Sequence, residues 1–235
     1  MKLGKYIKKL GASYEVKIEE EVIKALPRGI NVKYLDLGCY DGAKTLKRAQ
    51  QIGTTKIFGI EISAKYVKAA RNNKIQIKTA DLNKSWPIDS ASIDCLTATE
   101  VIEHLVNVDK FVAEAARTLR KGGKFIISTE NLAAYHNIFA LVLGNQPYTG
   151  PYISRIYPIG HRPNAEYYTS DMGENMYPHL NVMTTKALVQ LLKAYKFKIN
   201  KIIGVGFYPL PIFLANIVTK IDTNHSSYCV VVAEK

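Results

Sequence analysis

The sequence predicts an α/β protein built on a doubly wound, mostly parallel sheet, and three observations carry that prediction. Short apolar runs alternate with helical-period segments from residue 32 to 129, an order that places a parallel sheet between two layers of helices. The first run, Val32 to Gly42 (VKYLDLGCYDG), enters a glycine turn that opens a helix. Acids then stand near the carboxyl ends of three successive strands, Asp36, Glu61 and Asp81. That edge is where open α/β sheets bind their ligands.

Taken in order, residues 1–30 are a basic lead-in with helical apolar spacing over Tyr14 to Leu26 (Val16, Ile18, Val22, Ile23, Leu26), stopped by Pro27–Arg28–Gly29. This segment is expected to pack beside the sheet or over the ligand site. The domain proper is expected to span 31–235. Its first strand covers Val32 to Leu37 and is followed by a helix over Ala43 to Ile52. Strand Lys56 to Ile60 leads to helix Ala64 to Asn72, and strand Ile75 to Thr79 ends in Ala80–Asp81–Leu82. Strand Ser92 to Ala98, helix Phe111 to Leu119, a turn at Arg120 to Gly123 and strand Lys124 to Thr129 complete the regular part.

The rhythm then breaks. A helix is expected over Asn131 to Leu143, after which 144–180 is irregular and rich in Tyr, Pro, Gly and His. Long loops of that kind are functional caps more often than spacers, and the aromatic content argues against disorder. A substrate cap is expected there, with Tyr157, His161 and Arg162 as candidates to face substrate. Regular structure returns as a helix at Thr185 to Tyr195, a strand at Lys198 to Gly204 and a last strand at Tyr228 to Ala233.

With 235 residues and 47% hydrophobic content, the chain can bury a sizeable core as one domain with an added cap. Its formal charge of +12 suits RNA, an anionic membrane surface or a phosphorylated substrate, but the lysines are scattered rather than gathered in one block. Cys39, Cys95 and Cys229 lie far apart among apolar residues, which reads as packed thiols without metal-type spacing. No signal-type segment precedes the first helix, and the longest apolar run, Ile138 to Leu143, is too short to span a bilayer. The expectation is a cytoplasmic protein.

The turn itself discriminates between ligands. A dinucleotide fingerprint wants glycine at the first, third and sixth positions, which here hold Gly38, Tyr40 and Ala43. The glycine that lets a pyrophosphate approach is therefore a tyrosine, and an acid sits two residues before Gly38. Asp36-Leu-Gly38-Cys39-x-x-Gly42 resembles motif I of the class I S-adenosylmethionine (SAM) methyltransferases. Leu119 to Ser128 (LRKGGKFIIS) is similar to the fifth-strand approach of that family. The resemblance implies a Rossmann-like, seven-stranded sheet with a terminal antiparallel strand. It implies a cofactor site in which Gly38, Cys39, Tyr40 and Gly42 form the loop and Asp36 sits by the methionine end. Glu61, with Ile62, would accept the ribose hydroxyls; Asp81, with Leu82, would take the adenine; Thr99, just after the fourth strand, completes the implied cofactor-binding set. Gly42 is expected to let the ligand approach the helix start. Trp86–Pro87 is expected to pack by the adenine. Two departures stand out: Tyr40 in the glycine turn, and Glu130 where relatives commonly carry proline before Asn131.

The chemistry is expected just after the fourth strand, at Glu100-Val-Ile-Glu103-His104. Helical spacing of i, i+3 and i+4 would converge two carboxylates and an imidazole on one face. This E-x-x-E-H is similar to the metal site of ubiquinone-biosynthesis O-methyltransferases and small-RNA 2′-O-methyltransferases, which add a downstream histidine. His179 stands in the matching order. The resemblance implies a divalent cation on Glu100, Glu103, His104 and His179, with Mg²⁺, Mn²⁺, Fe²⁺ or Zn²⁺ compatible with mixed ligands. In the metal-free alternative His104 is a general base or a packed side chain. His136 and His225 are read as face and surface residues. The expected activity is O-methylation of a small molecule, sugar, quinone-like or lipid-linked glycan acceptor. An RNA methyltransferase is the second reading and a non-catalytic SAM-binding protein the third.

Overall fold

The computed structural model describes residues 3–153, 159–160 and 178–235. Seven strands form one sheet in the order β3-β2-β1-β4-β5-β7-β6. They are β1 Tyr34–Leu37, β2 Ile57–Glu61, β3 Gln76–Thr79, β4 Ile93–Thr99, β5 Leu119–Glu130, β6 Lys198–Val205 and β7 Tyr228–Glu234. Neighbours from β3 to β5 pair in parallel, and β7 runs antiparallel between β5 and β6. The doubly wound, mostly parallel sheet with its terminal antiparallel strand is therefore observed.

Strand parity divides the core. Leu35 and Leu37 of β1 join Leu96, Phe125 and Val231 on the face covered by α4 (Val108–Thr118) and α6 (Thr185–Ala194). Tyr34 joins Cys95, Ile126 and Val230 on the opposite face. That face is covered by α1 (Leu3–Ala25), α2 (Ala43–Ile52), α3 (Ala64–Asn72) and α7 (Ile212–Ile221). Strands buried on both faces must be apolar on both, which explains the runs Phe125–Ile127 in β5 and Cys229–Ala233 in β7. The residue between Leu35 and Leu37 is Asp36, whose carboxylate consequently enters the helical layer of α1 and α2.

Several elements differ from the sequence expectation for physical reasons. Helix α1 begins at Leu3 rather than Tyr14, and its inward stripe is Leu10, Tyr14, Ile18, Val22, one residue every helical turn. Val16, expected inside, is 61% exposed. Strand β5 begins at Leu119, and residues 120–123, with Gly122 at φ +75°, form a bulge against β4 between the pairs Ile93–Leu119 and Cys95–Lys124. The helix expected over 131–143 is α5, Tyr135–Val142. Asn131 is unavailable to it: its amide donates to the carbonyls of Asn224 and Ser226 (both 2.8 Å), and its Oδ1 accepts from Ala133 and Thr185. Helix α7 has no counterpart in the sequence reading.

The three cysteines are buried thiols, as expected. No helix among the described residues is long and apolar enough to cross a membrane. Of the cap expected at 144–180, residues 144–153, 159–160 and 178–180 are described; Tyr157, His161 and Arg162 lie outside the described residues.

Two consequences are measurable. Gly42 has φ +85°, and a Cβ there would lie 2.5 Å from Ile75 Cδ1. Gly42→Ala should destabilise the protein by about 2–4 kcal/mol, from a left-handed alanine plus overpacking, read as a lower midpoint in urea unfolding. Glu114 is buried but accepts from Arg117, the Trp86 amide and Lys110. Burial opposes its charge, yet these donors hold its pKa down at about 2. The stabilisation this implies is complete above the ordinary carboxylate range and is lost as pH falls toward 2. Glu114→Gln should therefore be less stable than the parent at pH 7, and urea midpoints of the two should converge in acid.

Candidate functional site

The glycine turn follows β1 directly and is held by backbone geometry. Gly38 has φ +65°, and a Cβ there would come 2.9 Å from the Val101 side chain, so glycine is required on both counts. Tyr40 also has positive φ (52°). The amides of Gly38 and Cys39 donate to the Ile60 carbonyl (2.9 and 3.3 Å), tying the turn to β2. Glu61, the last residue of β2, completes the clasp: Oε2 accepts from the Tyr40 amide and Oε1 from those of Ile62 and Ser63, each at 2.9 Å. A carboxylate has about four acceptor positions, so one remains for a ligand hydroxyl.

The expectation for Gly42 changes. The space beside it is filled by Ile75 and Ala70, so this glycine serves helix packing rather than ligand approach. Cys39 is buried against Gly59, where an added Cβ would lie 2.7 Å from the thiol sulfur, so the turn presents the backbone of this residue. Burial raises the Cys39 thiol pKa well above its usual value, with Asp36 and Glu61 adding to it. Tyr40 instead projects outward, 53% exposed, with its ring 3.6 Å from that of Tyr66.

Asp36, expected beside an ammonium, has its counter-charge inside the protein. It accepts from Thr45 (2.5 Å), Thr97 (2.6 Å) and Arg48 Nη1 (3.1 Å). The guanidinium is itself buried, pairs with Glu19 of α1 and donates to Thr99 Oγ1 at 3.1 Å. Burial works against its charge, and Asp36, Tyr34 and Glu19 outweigh that effect and raise its pKa. Asp81, half-buried, accepts from the Asn83 amide and side chain through Oδ1 (2.9 Å each), bonds that do not engage Oδ2. Leu82 is buried with Trp86, whose ring packs 5.5 Å from Phe111. Trp86 is thus core rather than adenine wall.

Beyond β4 the expected α-helical face is absent. Glu100 adopts φ +54°, and the only helical turn is 3₁₀, Ile102–His104. Convergence comes from tertiary contacts instead. The carbonyl of Glu103 accepts from the amides of Leu180 (2.7 Å) and Asn181 (3.0 Å), which brings the 178–181 segment alongside. His104 and His179 then face each other with ring centroids 4.8 Å apart. One ligand atom each from Glu103, His104 and His179 falls within 4.8 Å of the others. Glu100 stands outside that trio, its Oε1 accepting from Ser128 Oγ at 2.6 Å.

The second carboxylate of this site was not legible as such. Glu130, at the end of β5, places Oε2 2.9 Å from His179 Nδ1, which also lies 2.7 Å from the Thr149 carbonyl. Its only sequence signal is the departure from proline before Asn131. With Nδ1 committed to oxygen partners, Nε2 of His179 is the nitrogen left to bind. Glu103 is 1% exposed; Oε2 accepts from Thr129 (2.9 Å), while Oε1 is buried with no hydrogen-bond donor among the described residues. Burial lifts the Glu103 pKa to about 7 against the pull of His179. Burial also raises Glu100, with Glu103 adding to the effect. For His179 burial opposes the charge, but Glu130 and Glu103 overcome it and bring its pKa to about 9. Acids and imidazoles crowded this way, with an orphaned carboxylate oxygen among them, fit the donor set of a divalent cation.

Comparison with known proteins agrees with the geometry. Residues 35–127 match a methyltransferase domain family. The chain is 28% identical over 134 residues to a ubiquinone biosynthesis O-methyltransferase of Pelagibacter ubique, covering 55% of this chain and 52% of that protein. It is 27% identical over 124 residues to the mitochondrial ubiquinone biosynthesis O-methyltransferase of Rattus norvegicus, covering 49% and 35%. The matches therefore span about half, or less, of these curated relatives. A SAM-dependent methyltransferase structure from Mesorhizobium loti superposes with a TM-score of 0.61 at 19% identity, over 93% of this chain and 98% of that one. The sheet order, the turn after β1 and the matched segment agree: residues 35–127 are similar to a methyltransferase domain, and the chain shares the fold of SAM-dependent methyltransferase structures.

Proposed function

We propose that the protein transfers the methyl group of SAM to a hydroxyl of a small-molecule, sugar or lipid-linked acceptor, with a divalent cation assisting. The observation that carries this reading is the grouping of Glu103, His104 and His179, with the buried, unsatisfied Oε1 of Glu103 beside two imidazoles. Likeness to O-methyltransferases at 28% and 27% identity supports the oxygen acceptor.

In this reading the cofactor lies along the carboxyl edge of β1, β2 and β3. The turn at Gly38–Tyr40 offers backbone groups to the methionine portion. Glu61 accepts a ribose hydroxyl with its remaining lone pair, and Asp81 Oδ2 accepts from the adenine amine. Asp36 acts from behind, through Arg48 and Thr99, by fixing the turn.

Glu103, His104 and Nε2 of His179 would hold the cation. When bound, such an ion lowers the pKa of an acceptor hydroxyl so that oxygen attacks as the stronger nucleophile. Glu130 orients His179 by its charge beside Nδ1, and Thr129 holds the other oxygen of Glu103. Glu100, bonded to Ser128, stands outside this group. The acceptor oxygen must then align with the methyl carbon, and the proton its hydroxyl releases passes to a base at this edge, for which His104 is the candidate, as the sulfonium leaves as a neutral thioether.

Two measurements test the reading. Calorimetric titration with S-adenosylhomocysteine should give micromolar binding, weakened about 10–100-fold in Glu61→Ala, as expected for loss of a charged acceptor. Unchanged affinity would remove Glu61 from the site. Titration with Mn²⁺ should show a site whose affinity falls at least tenfold in both Glu103→Gln and His104→Ala, in line with loss of a ligand. Methyl transfer that persists in excess chelator would rule out metal assistance while leaving the cofactor site standing.

A further inference from the structure

Helices α5 and α7 are built inside out. A surface helix of a globular protein normally buries its large apolar residues and exposes polar ones. Helix α5 does the reverse, burying Asn137 and Ala140 while Phe139 is 62%, Leu141 55% and Val142 77% exposed. Helix α7 buries only Ala215 and exposes Phe213 (63%), Ile217 (56%) and Ile221 (85%). Isolated exposed apolar side chains need no account, but two adjoining helices with this pattern do.

The two helices are neighbours. The Tyr135 ring, opening α5, stacks 4.7 Å from His225, and its hydroxyl donates to Asp222 Oδ2 (2.7 Å), the residue after α7. His136 meets the ring of Tyr208 at 5.2 Å, shortly before α7 begins. Both helices leave the same edge of the sheet, α5 following the end of β5 and α7 following the end of β6. That is the edge on which Glu103 and His104 stand.

Positive charge flanks this apolar surface. The amino-terminal part of α1 adjoins α7, with Tyr6 donating to the Pro209 carbonyl at 3.0 Å, and it presents Lys5 and Lys9 to solvent. Lys220 is exposed on α7 itself. Large aliphatic and aromatic side chains bordered by lysine, on helices too short to span, form an interfacial membrane anchor rather than a protein-docking groove. An excess of twelve positive charges over the whole chain favours the same partner.

We propose that α5 and α7 seat the protein on an anionic lipid bilayer, apolar residues entering the headgroup boundary and Lys5, Lys9 and Lys220 meeting lipid phosphates. The bilayer then lies beside the reaction edge.

The test is co-sedimentation of the full chain with vesicles of phosphatidylcholine alone or mixed equally with phosphatidylglycerol, at low and high salt. Binding is expected to the mixed vesicles, much weaker to neutral ones, and reduced by salt. Phe139→Ser combined with Ile217→Ser should lower the partition coefficient at least tenfold. Lys5→Gln with Lys9→Gln should lower it about tenfold. Lys24→Gln with Lys201→Gln, at the opposite edge of the sheet, should leave it nearly unchanged. Circular dichroism and S-adenosylhomocysteine binding of each variant report whether the fold is intact. No binding to either vesicle overturns the proposal, as does equal loss in the distal lysine variant, which would mark a diffuse charge effect. A self-associating parent that becomes monomeric in the Phe139/Ile217 variant, with no vesicle binding, would assign the surface to a second copy of the chain instead.

Discussion

The buried guanidinium of Arg48 is the constraint on which the candidate cofactor edge depends. It ties α2 to α1 through Glu19, to β1 through Asp36, and to the end of β4 through Thr97 and Thr99. Ions taken out of water cost several kcal/mol each, recovered only where partners and hydrogen bonds are nearly complete. Here they are: Asp36 accepts from Thr45, Thr97 and Arg48, and Glu19 meets the guanidinium through two of its nitrogens. The arrangement makes α1 a structural member of the site although none of its side chains belongs to the glycine turn. It also leaves the turn after β1 rigid at its base, with Glu61 closing it from the side of β2.

The reaction edge is organised on a different principle. Where Asp36 and Arg48 compensate each other at the base of the glycine turn, the side beyond β4 and β5 gathers Glu100, Glu103 and Glu130 near two imidazoles with compensation left incomplete. Left-handed backbone at Glu100 departs from the low-energy regions for such a residue, and conformations of this kind persist where surrounding contacts enforce them. Here β5 does the enforcing: the Ser128 carbonyl accepts from the Glu100 amide at 3.1 Å, and its hydroxyl donates to the carboxylate. Under the proposed function, strain and uncompensated charge at one place would serve the binding of a cation.

The outward apolar helices extend that logic to the exterior. Helix α5 is joined to the reaction edge by Asn131, whose amide also reaches the loop between α7 and β7. Asn137 of α5 in turn donates to the Asn131 carbonyl at 3.1 Å, so α5, the loop before β7 and the end of β5 are hydrogen-bonded together.

Local patterning in the sequence settled most of the fold. Apolar runs buried on both faces, helical stripes such as Ala64–Asn72, and the acid-plus-glycine turn are short-range properties, and each appears where expected. Boundaries moved where long-range contacts compete with local preference, as at Asn131, and α7 escaped notice because its apolar residues face outward. At the candidate site, the sequence by itself named Glu61, Asp81, Glu103, His104 and His179, and the last three are the ones the structure groups together. Only the tertiary structure decided their partners. Strand parity turned Asp36 toward Arg48, packing of Ile75 claimed the space beside Gly42, and a 3₁₀ turn took the place of a helical face. The pairing of Glu130 with His179 spans 49 positions in the chain, and no local pattern encodes a contact between residues so far apart.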